Sequence, residues 1–315
     1  MKFLHIVPGT EDVANGMVVV AKLLAKEQGD AEVVDLNDVD RGKVAAADEV
    51  WVHGMWLPKE WLACWHTLKA GKKLVRMTHG SLSPIYLTRQ SPWKKRLVSP
   101  IERYFLRNAD KVVATCNAEV EWIRSYEPRV RSIEIVDLKR FFNLNPVNPV
   151  NPVKKDLHLL YLGRRHPLKG LSYLESAVRQ IWENRSDLFS QKGNPSPSPS
   201  SVCCELRVVS SAFGEELAKV WDWCDVLVLP TLSENFGLVI AEALERGKCV
   251  ITTDGAPAWG ENLSRVEHAD HVEGGEMLSG YGGRLIYLKG YRDGTPDLRI
   301  NLLSSAISLI LGKQV

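Results

Sequence analysis

The sequence predicts an α/β protein of two doubly wound, parallel-sheet domains. Three observations carry this reading. Apolar strand-like runs alternate with amphipathic helical runs along both halves of the chain. The length of 315 residues exceeds one ordinary domain and suits two of about 150 residues each. Between the halves, FFNLNPVNPVNPVKKD repeats Asn-Pro-Val in succession. Each proline fixes φ, removes a donor and pushes its predecessor to extended geometry, so neither a helix nor a central strand runs through. The expected organisation is an N-terminal domain over 1–142, an extended linker over 143–155 and a C-terminal domain over 156–315.

In the first half, KFLHIV reads as a strand, VVVAKLLAKE as a helix and AEVVDL as a second strand. EVWVHG, KKLVRMTHG and DKVVATC continue as apolar strands, with helices WLACWHTLKA and KKRLVSPIERYFLRN between them. The turn after the first strand, Pro8 to Gly16, lacks both G-x-G-x-x-G and the Walker lysine pattern, so neither a dinucleotide fingerprint nor a P-loop is expected. Asp38–Val39–Asp40 lies in the charged run DLNDVDRG and reads as a solvated turn; no metal site is expected.

In the second half, DLHLLYLG is a strand, LSYLESAVRQIW a helix, ELRVVSS a strand and FGEELAKVWDWCD a helix. QKGNPSPSPSS (191–201) reads as a surface loop. DVLVLP is a short, fully apolar strand, and FGLVIAEALERGK is a helix opening beside Gly237, followed by the strand CVITT. GGRLIYL and the helix DLRINLLSSAISLIL finish the chain.

This order places Glu234 in a strand-to-helix turn at the carboxyl edge of a parallel sheet, where open α/β folds bind ligands. Glu242, eight positions on, is expected about two turns inside the helix. Carboxylates so far apart do not share a proton, but they suit two parts of one elongated, hydroxyl-rich ligand. The helix start at Asn235–Phe236–Gly237–Leu238 leaves backbone N–H groups for an anion, and Gly237 offers no side chain to obstruct it. The competing reading makes Glu242 part of a solvated stripe with Glu245 and Arg246, and Glu234 an ordinary loop acid.

The segment PTLSENFGLVIAEAL resembles the E-x7-E element of the retaining glycosyltransferases of family 4, which have the two-domain GT-B fold. GRRHPLKG (163–170) resembles that family's G-R-x4-K-G element. The resemblance implies two Rossmann-like domains facing a cleft, with a nucleotide sugar of UDP or GDP type as co-substrate and no cofactor. Glu234 would contact sugar hydroxyls, Glu242 the ribose hydroxyls, and Arg164 and Lys169 the diphosphate. A leaving diphosphate gains negative charge, which a guanidinium and an ammonium stabilise in a partly desolvated cleft. Gly16 would face the donor phosphates. His79, closing a strand in LVRMTHGSLSP, would contact the donor sugar, although a histidine held by a local backbone bond is an equal reading. In this mechanism the departing phosphate takes the acceptor's proton, and His79 is not a general base.

The wording SENFG and TTDGAP is most similar to bacterial enzymes of surface polysaccharide and lipopolysaccharide synthesis, with a glycan or lipid-linked acceptor. The C-terminal domain reads as trimmed, lacking one βα unit and the terminal crossover helix of the family. An epimerase or phosphorylase of the same fold, or a non-catalytic transferase partner, stays open as an alternative.

Composition sets further bounds. A net charge of +2 implies no global field for nucleic acid. Six cysteines without C-x-x-C spacing read as reduced thiols of a cytoplasmic protein. No apolar run reaches membrane-span length. SPWKKRLVSPIERYFLRNADK joins basic residues to Trp93, Leu97, Ile101, Tyr104 and Phe105, which fits a helix lying on an anionic inner-membrane surface or, equally, a core-packed helix with a charged face.

Overall fold

The computed structural model describes residues 1–10, 15–89, 91–144, 157–191, 204–266 and 273–312. They divide into two compact units, Met1–Phe141 and Phe142–Val315. Residues 145–155 of the expected linker and 192–201 of the Pro/Ser stretch lie outside the described residues.

In the first unit, β1 (Phe3–Val7), α1 (Gly16–Gln28), β2 (Ala31–Asp35), α2 (Arg41–Ala46), β3 (Glu49–His53) and α3 (Pro58–Lys69) follow in order. They are succeeded by β4 (Lys73–Met77), α4 (Pro84–Arg89), α5 (Pro92–Asn108), β5 (Lys111–Ala114), α6 (Asn117–Tyr126) and β6 (Ile133–Ile135). The sheet is parallel throughout, in the order β2-β1-β3-β4-β5-β6. The chain leaves β1 on one side for β2 and returns on the other for β3, which sets the topological switch point between β1 and β3. One sheet face packs Leu4, Ile6, Val50, Val52 and Leu74 into the main core. The other packs Val7 against Val18 and Ala21 of α1.

That main core encloses charge. The Arg76 guanidinium pairs with Glu102 at 3.1 Å, both fully buried, and donates to the Gly54 carbonyl at 3.0 Å. Burial pushes the neighbouring Glu60 carboxyl up to about 7, against the pull of the Arg76 charge. Asp40, from the D-x-D run, caps α2 by accepting from the Lys43 amide at 2.8 Å.

The second unit runs β7 (Leu157–Leu162), α7 (Leu171–Gln191), β8 (Cys204–Val209), α8 (Gly214–Trp223), β9 (Val226–Leu229), α9 (Leu238–Glu245) and β10 (Cys249–Thr253). It closes with β11 (Ser264–Arg265), β12 (Glu276–Gly280), β13 (Leu285–Lys289) and α10 (Pro296–Gly312). The sheet order is β11-β12-β13-β10-β9-β7-β8. From β8 to β13 it is parallel, with β7 meeting β8 on one side and β9 on the other. The switch point therefore lies between β7 and β9.

Beyond α2, α4, α6, β6, β11 and β12, which the sequence reading does not name, two features depart from the sequence expectation. α7 continues to Gln191 instead of ending at Trp182. The edge strands β11 and β12 are antiparallel. The turn from Tyr281 to Arg284 is too short for a crossover and allows only a hairpin.

Candidate functional site

Both halves of the site in the second unit flank its switch point. After β7 the chain makes a 3-10 turn, Pro167–Lys169, which His166 caps by accepting from the Leu168 amide at 3.2 Å. The Leu168 carbonyl accepts from the Leu232 amide at 2.7 Å and from the Thr231 hydroxyl at 3.1 Å, tying this turn to the loop after β9. Gly170 makes that approach possible. Its φ is +69°, and a Cβ there would lie 1.9 Å from the Pro230 carbonyl oxygen. The loop after β9 is tied in turn to the one after β10, because the Glu234 amide donates to the Gly255 carbonyl at 2.8 Å.

These ties bring Lys169 and Glu234 together. The Lys169 ammonium donates to Glu234 Oε2, and Glu234 Oε1 accepts from the Asn235 amide at 3.1 Å. The pair is partly solvated, with side-chain exposures of 18% and 22%. Arg164, two residues past β7 at the same edge, is exposed and stands apart from that pair; its carbonyl accepts from the Tyr161 hydroxyl at 2.9 Å.

Gly237 is the N-cap of α9, with φ +70°, and a Cβ there would crowd Ile240 at 3.0 Å and Glu234 at 3.2 Å. Phe236 is buried beside Phe142 and Trp259, and its carbonyl accepts from the Trp259 indole. As a binding residue Phe236 therefore offers backbone, not its ring. Leu238 opens α9 half-buried.

Glu242 lies one turn into α9 rather than two, because the helix begins at Leu238. It is half-buried, and burial raises its pKa above the ordinary carboxyl value, with Arg246 opposing and Glu245 adding to the shift. The expected stripe is only partly formed. Arg246 donates to the Glu242 carbonyl at 3.0 Å and lies over Trp221, while the Glu245 carboxylate accepts from the Asn143 amide at 3.1 Å.

In the first unit, Gly16 opens α1 behind Asn15, which caps the helix by accepting from the Met17 amide at 3.1 Å. His79 follows β4 with a left-handed backbone, φ +48°. The buried Glu119 carboxylate clamps both of its neighbours. Oε1 accepts from the Thr78 hydroxyl and the Gly80 amide, each at 2.6 Å, and Oε2 accepts from the Thr115 amide and hydroxyl at 2.8 and 2.9 Å.

His79 is not held by a local backbone bond. Its Nε2 lies 2.8 Å from His53 Nδ1, whose own Nε2 lies 2.9 Å from His5 Nδ1. His5 Nε2 meets Gln28 Oε1 at 2.6 Å. Burial holds His5 down to about 4 and His79 to about 3, and lowers His53 well below the ordinary value. Sequence reasoning passed over His5 and His53, although two strands ending in His-Gly, WVHG and MTHG, carried the signal.

Residues 10–137 match the family model "Glycosyl transferase 4-like domain", and residues 156–274 match "Glycosyl transferases group 1". The chain superposes on sucrose-phosphate synthase from Thermosynechococcus elongatus with a TM-score of 0.59 at 16% identity, covering all of this chain and 92% of that one. The chain belongs to the GT-B glycosyltransferases.

HepE from Anabaena, solved in complex with UDP, superposes on this GT-B chain with a TM-score of 0.53 at 15% identity, covering 100% of this chain and 95% of HepE. Among curated sequences, D-inositol 3-phosphate glycosyltransferase of Streptomyces scabiei is 29% identical over 180 residues, 48% of this chain and 40% of its own. An uncharacterised glycosyltransferase of Methanocaldococcus jannaschii is 31% identical over 103 residues, 30% of this chain and 26% of its own. The chain thus spans less than half the length of these curated relatives.

Proposed function

We propose that this protein transfers a hexosyl unit from a nucleoside-diphosphate sugar to a glycan or lipid-linked acceptor, with retention and without a metal ion. The observation that carries the reading is the Lys169–Glu234 pair at the switch point of the second sheet. An ion pair that water partly reaches can exchange partners for an incoming anion. A diphosphate takes the Lys169 ammonium, and the released Glu234 carboxylate accepts from sugar hydroxyls. The exposed Arg164 adds a bidentate contact to the phosphates, and the first amides of α9 add dipolar support. Glu242, one turn along α9, takes the ribose hydroxyls. As the glycosidic bond breaks, the phosphate oxygen gains charge under these cations and accepts the proton of the attacking hydroxyl. The UDP and UDP-glucose held by HepE favour a UDP-type donor over a GDP-type one.

A lipid-linked acceptor is favoured by α5. Trp93, Leu97, Ile101 and Tyr104, spaced four, four and three residues apart, form an exposed apolar stripe. Beside it lies a groove of about 440 Å³ lined by Lys95, Arg96, Arg103 and Arg107 with Trp56 and Tyr126. This face suits an anionic inner-membrane surface and, with the wording of the motifs, a place in bacterial surface polysaccharide synthesis. No helix among the described residues is long and apolar enough to cross a membrane.

The test is a panel of UDP and GDP sugars, read by thermal shift and by nucleotide release with glycan and lipid acceptors. Release that depends on an acceptor supports the proposal. Interconversion of the sugar without acceptor would mark an epimerase, a requirement for inorganic phosphate a phosphorylase, and absence of donor binding a non-catalytic partner. Flotation with anionic and neutral vesicles tests the α5 face. Trp93→Ser with Leu97→Ser should lose anionic binding and keep turnover of a soluble acceptor.

A further inference from the structure

From the geometry we infer that His5, His53 and Gln28 form a positioning array that locks His79 as the Nε2–H tautomer, so that its Nδ1 accepts a hydrogen bond from a substrate hydroxyl. The inference rests on the transferase reading above, together with the sugar contact that the family resemblance implies for His79.

The array climbs one face of the sheet. His5 sits inside β1, His53 ends β3, and His79 stands two residues beyond β4. Strand register pairs His5 with Trp51, and His53 with Met77, so His5 and His53 project from the α1 side, and the bond to His53 brings the His79 ring to the same side. The rings follow at 5.2 and 5.1 Å between centroids, and Trp51 stacks on His5 at 5.1 Å.

Tautomers follow from the blind end. The Gln28 amide oxygen only accepts, so His5 Nε2 carries the hydrogen. A neutral imidazole has one donor and one acceptor, which leaves His5 Nδ1 to accept from His53 Nε2–H. His53 Nδ1 then accepts from His79 Nε2–H. The lone pair of His79 Nδ1 remains. Burial keeps the three rings neutral.

The same reasoning excludes a proton conduit. A proton entering at His79 Nδ1 and passed along the chain would have to leave His5 for an amide oxygen, which is not basic at ordinary pH. The array therefore sets direction and orientation only. The left-handed backbone of His79, clamped on both sides by Glu119, fixes where that lone pair stands.

The experiment is long-range 1H–15N correlation on histidine-labelled protein, with Gln28→Met and Gln28→Glu as variants. Gln28 is half-buried at the far end of α1 from the sheet's carboxyl edge, which makes both substitutions tolerable. Wild type should show His79 Nε2 pyrrole-like and Nδ1 pyridine-like near neutral pH. Gln28→Met removes the terminal acceptor and should give a mixed His79 signature with a fall in kcat/KM of about 5-fold, the weight of one neutral hydrogen bond. Gln28→Glu keeps an acceptor there and should restore the wild-type signature. A protonated His79 Nδ1 in the wild type, or a His79 signature unmoved in Gln28→Met, overturns the array. Loss of the Nδ1 signal shift on adding donor or acceptor, with the tautomer intact, instead overturns the placing of His79 in the site.

Discussion

The carboxyl edge of the second sheet carries an ion pair that water partly reaches, whereas that of the first carries a line of hydrogen-bonded, neutral imidazoles. Lys169 and Glu234 are each about a fifth exposed, and Arg164 is open to solvent. His5 and His53 are wholly buried, the buried Glu119 carboxylate braces the turn that holds His79, and the Arg76–Glu102 pair sits on the opposite sheet face. An ion pair that water can reach rearranges around an incoming anion. A chain of hydrogen-bonded neutral rings cannot reorient one member without breaking the bonds of the others. On the proposed function, one edge would act as an adaptable clamp for charge and the other as a rigid template for hydroxyl groups.

The comparison breaks most sharply at the ion pair. Glu234→Ala should abolish transfer while leaving the melting curve near wild type, and Lys169→Ala should lower kcat by about 10²- to 10³-fold, as expected for a group stabilising developing charge. Retained turnover in steady-state assays would contradict both roles. Next in size is the scaffold under the clamp. Gly170→Ala forces a Cβ onto the Pro230 carbonyl in a left-handed backbone and should cost about 3 kcal/mol or more in chemical denaturation.

On the template side, Glu119→Gln replaces an acceptor-only group, facing four donors, with one that presents an NH2 to some of them. A loss of about 2–3 kcal/mol is expected by urea unfolding, together with a lower kcat/KM because the His79 turn loosens.

The smallest effects concern pH. With folded values of about 4 and 3 against an ordinary 6.5, His5 and His79 take up protons first in the unfolded chain. Their contribution is present above pH 6.5 and lost as pH falls through those folded values. Glu60 has the opposite sign. Its folded value of about 7 exceeds the ordinary 4.5, so its contribution is present below 4.5 and lost as pH rises through 7. Glu60→Gln should therefore gain on wild type across that window, by about 1–3 kcal/mol in urea midpoints converted with a common m-value. A constant difference would show that Glu60 does not titrate there.

Much of the second unit was legible because its signals are local. An apolar strand, a turn and a helix in immediate succession place Glu234 at a sheet edge from spacing alone, and Lys-Gly at 169–170 follows β7 in the same manner. Helix boundaries were less legible, and Glu242 shifted by a turn because Gly237, in the left-handed region, delays the start of α9. The ring of Phe236 was equally hidden. Its burial depends on Phe142 and Trp259, both remote in sequence.

By itself the sequence determined the two α/β units, most of the strands in chain order and which polar residues follow them, since periodicity and turn chemistry act over a few residues. Only the tertiary structure decided which of those strands are neighbours. That choice brought Lys169 to Glu234, and it stacked residues 5, 53 and 79 into one hydrogen-bonded line. The physical reason is that parallel strands pair through crossovers, so side chains that touch across a sheet lie tens of residues apart and leave no periodic trace.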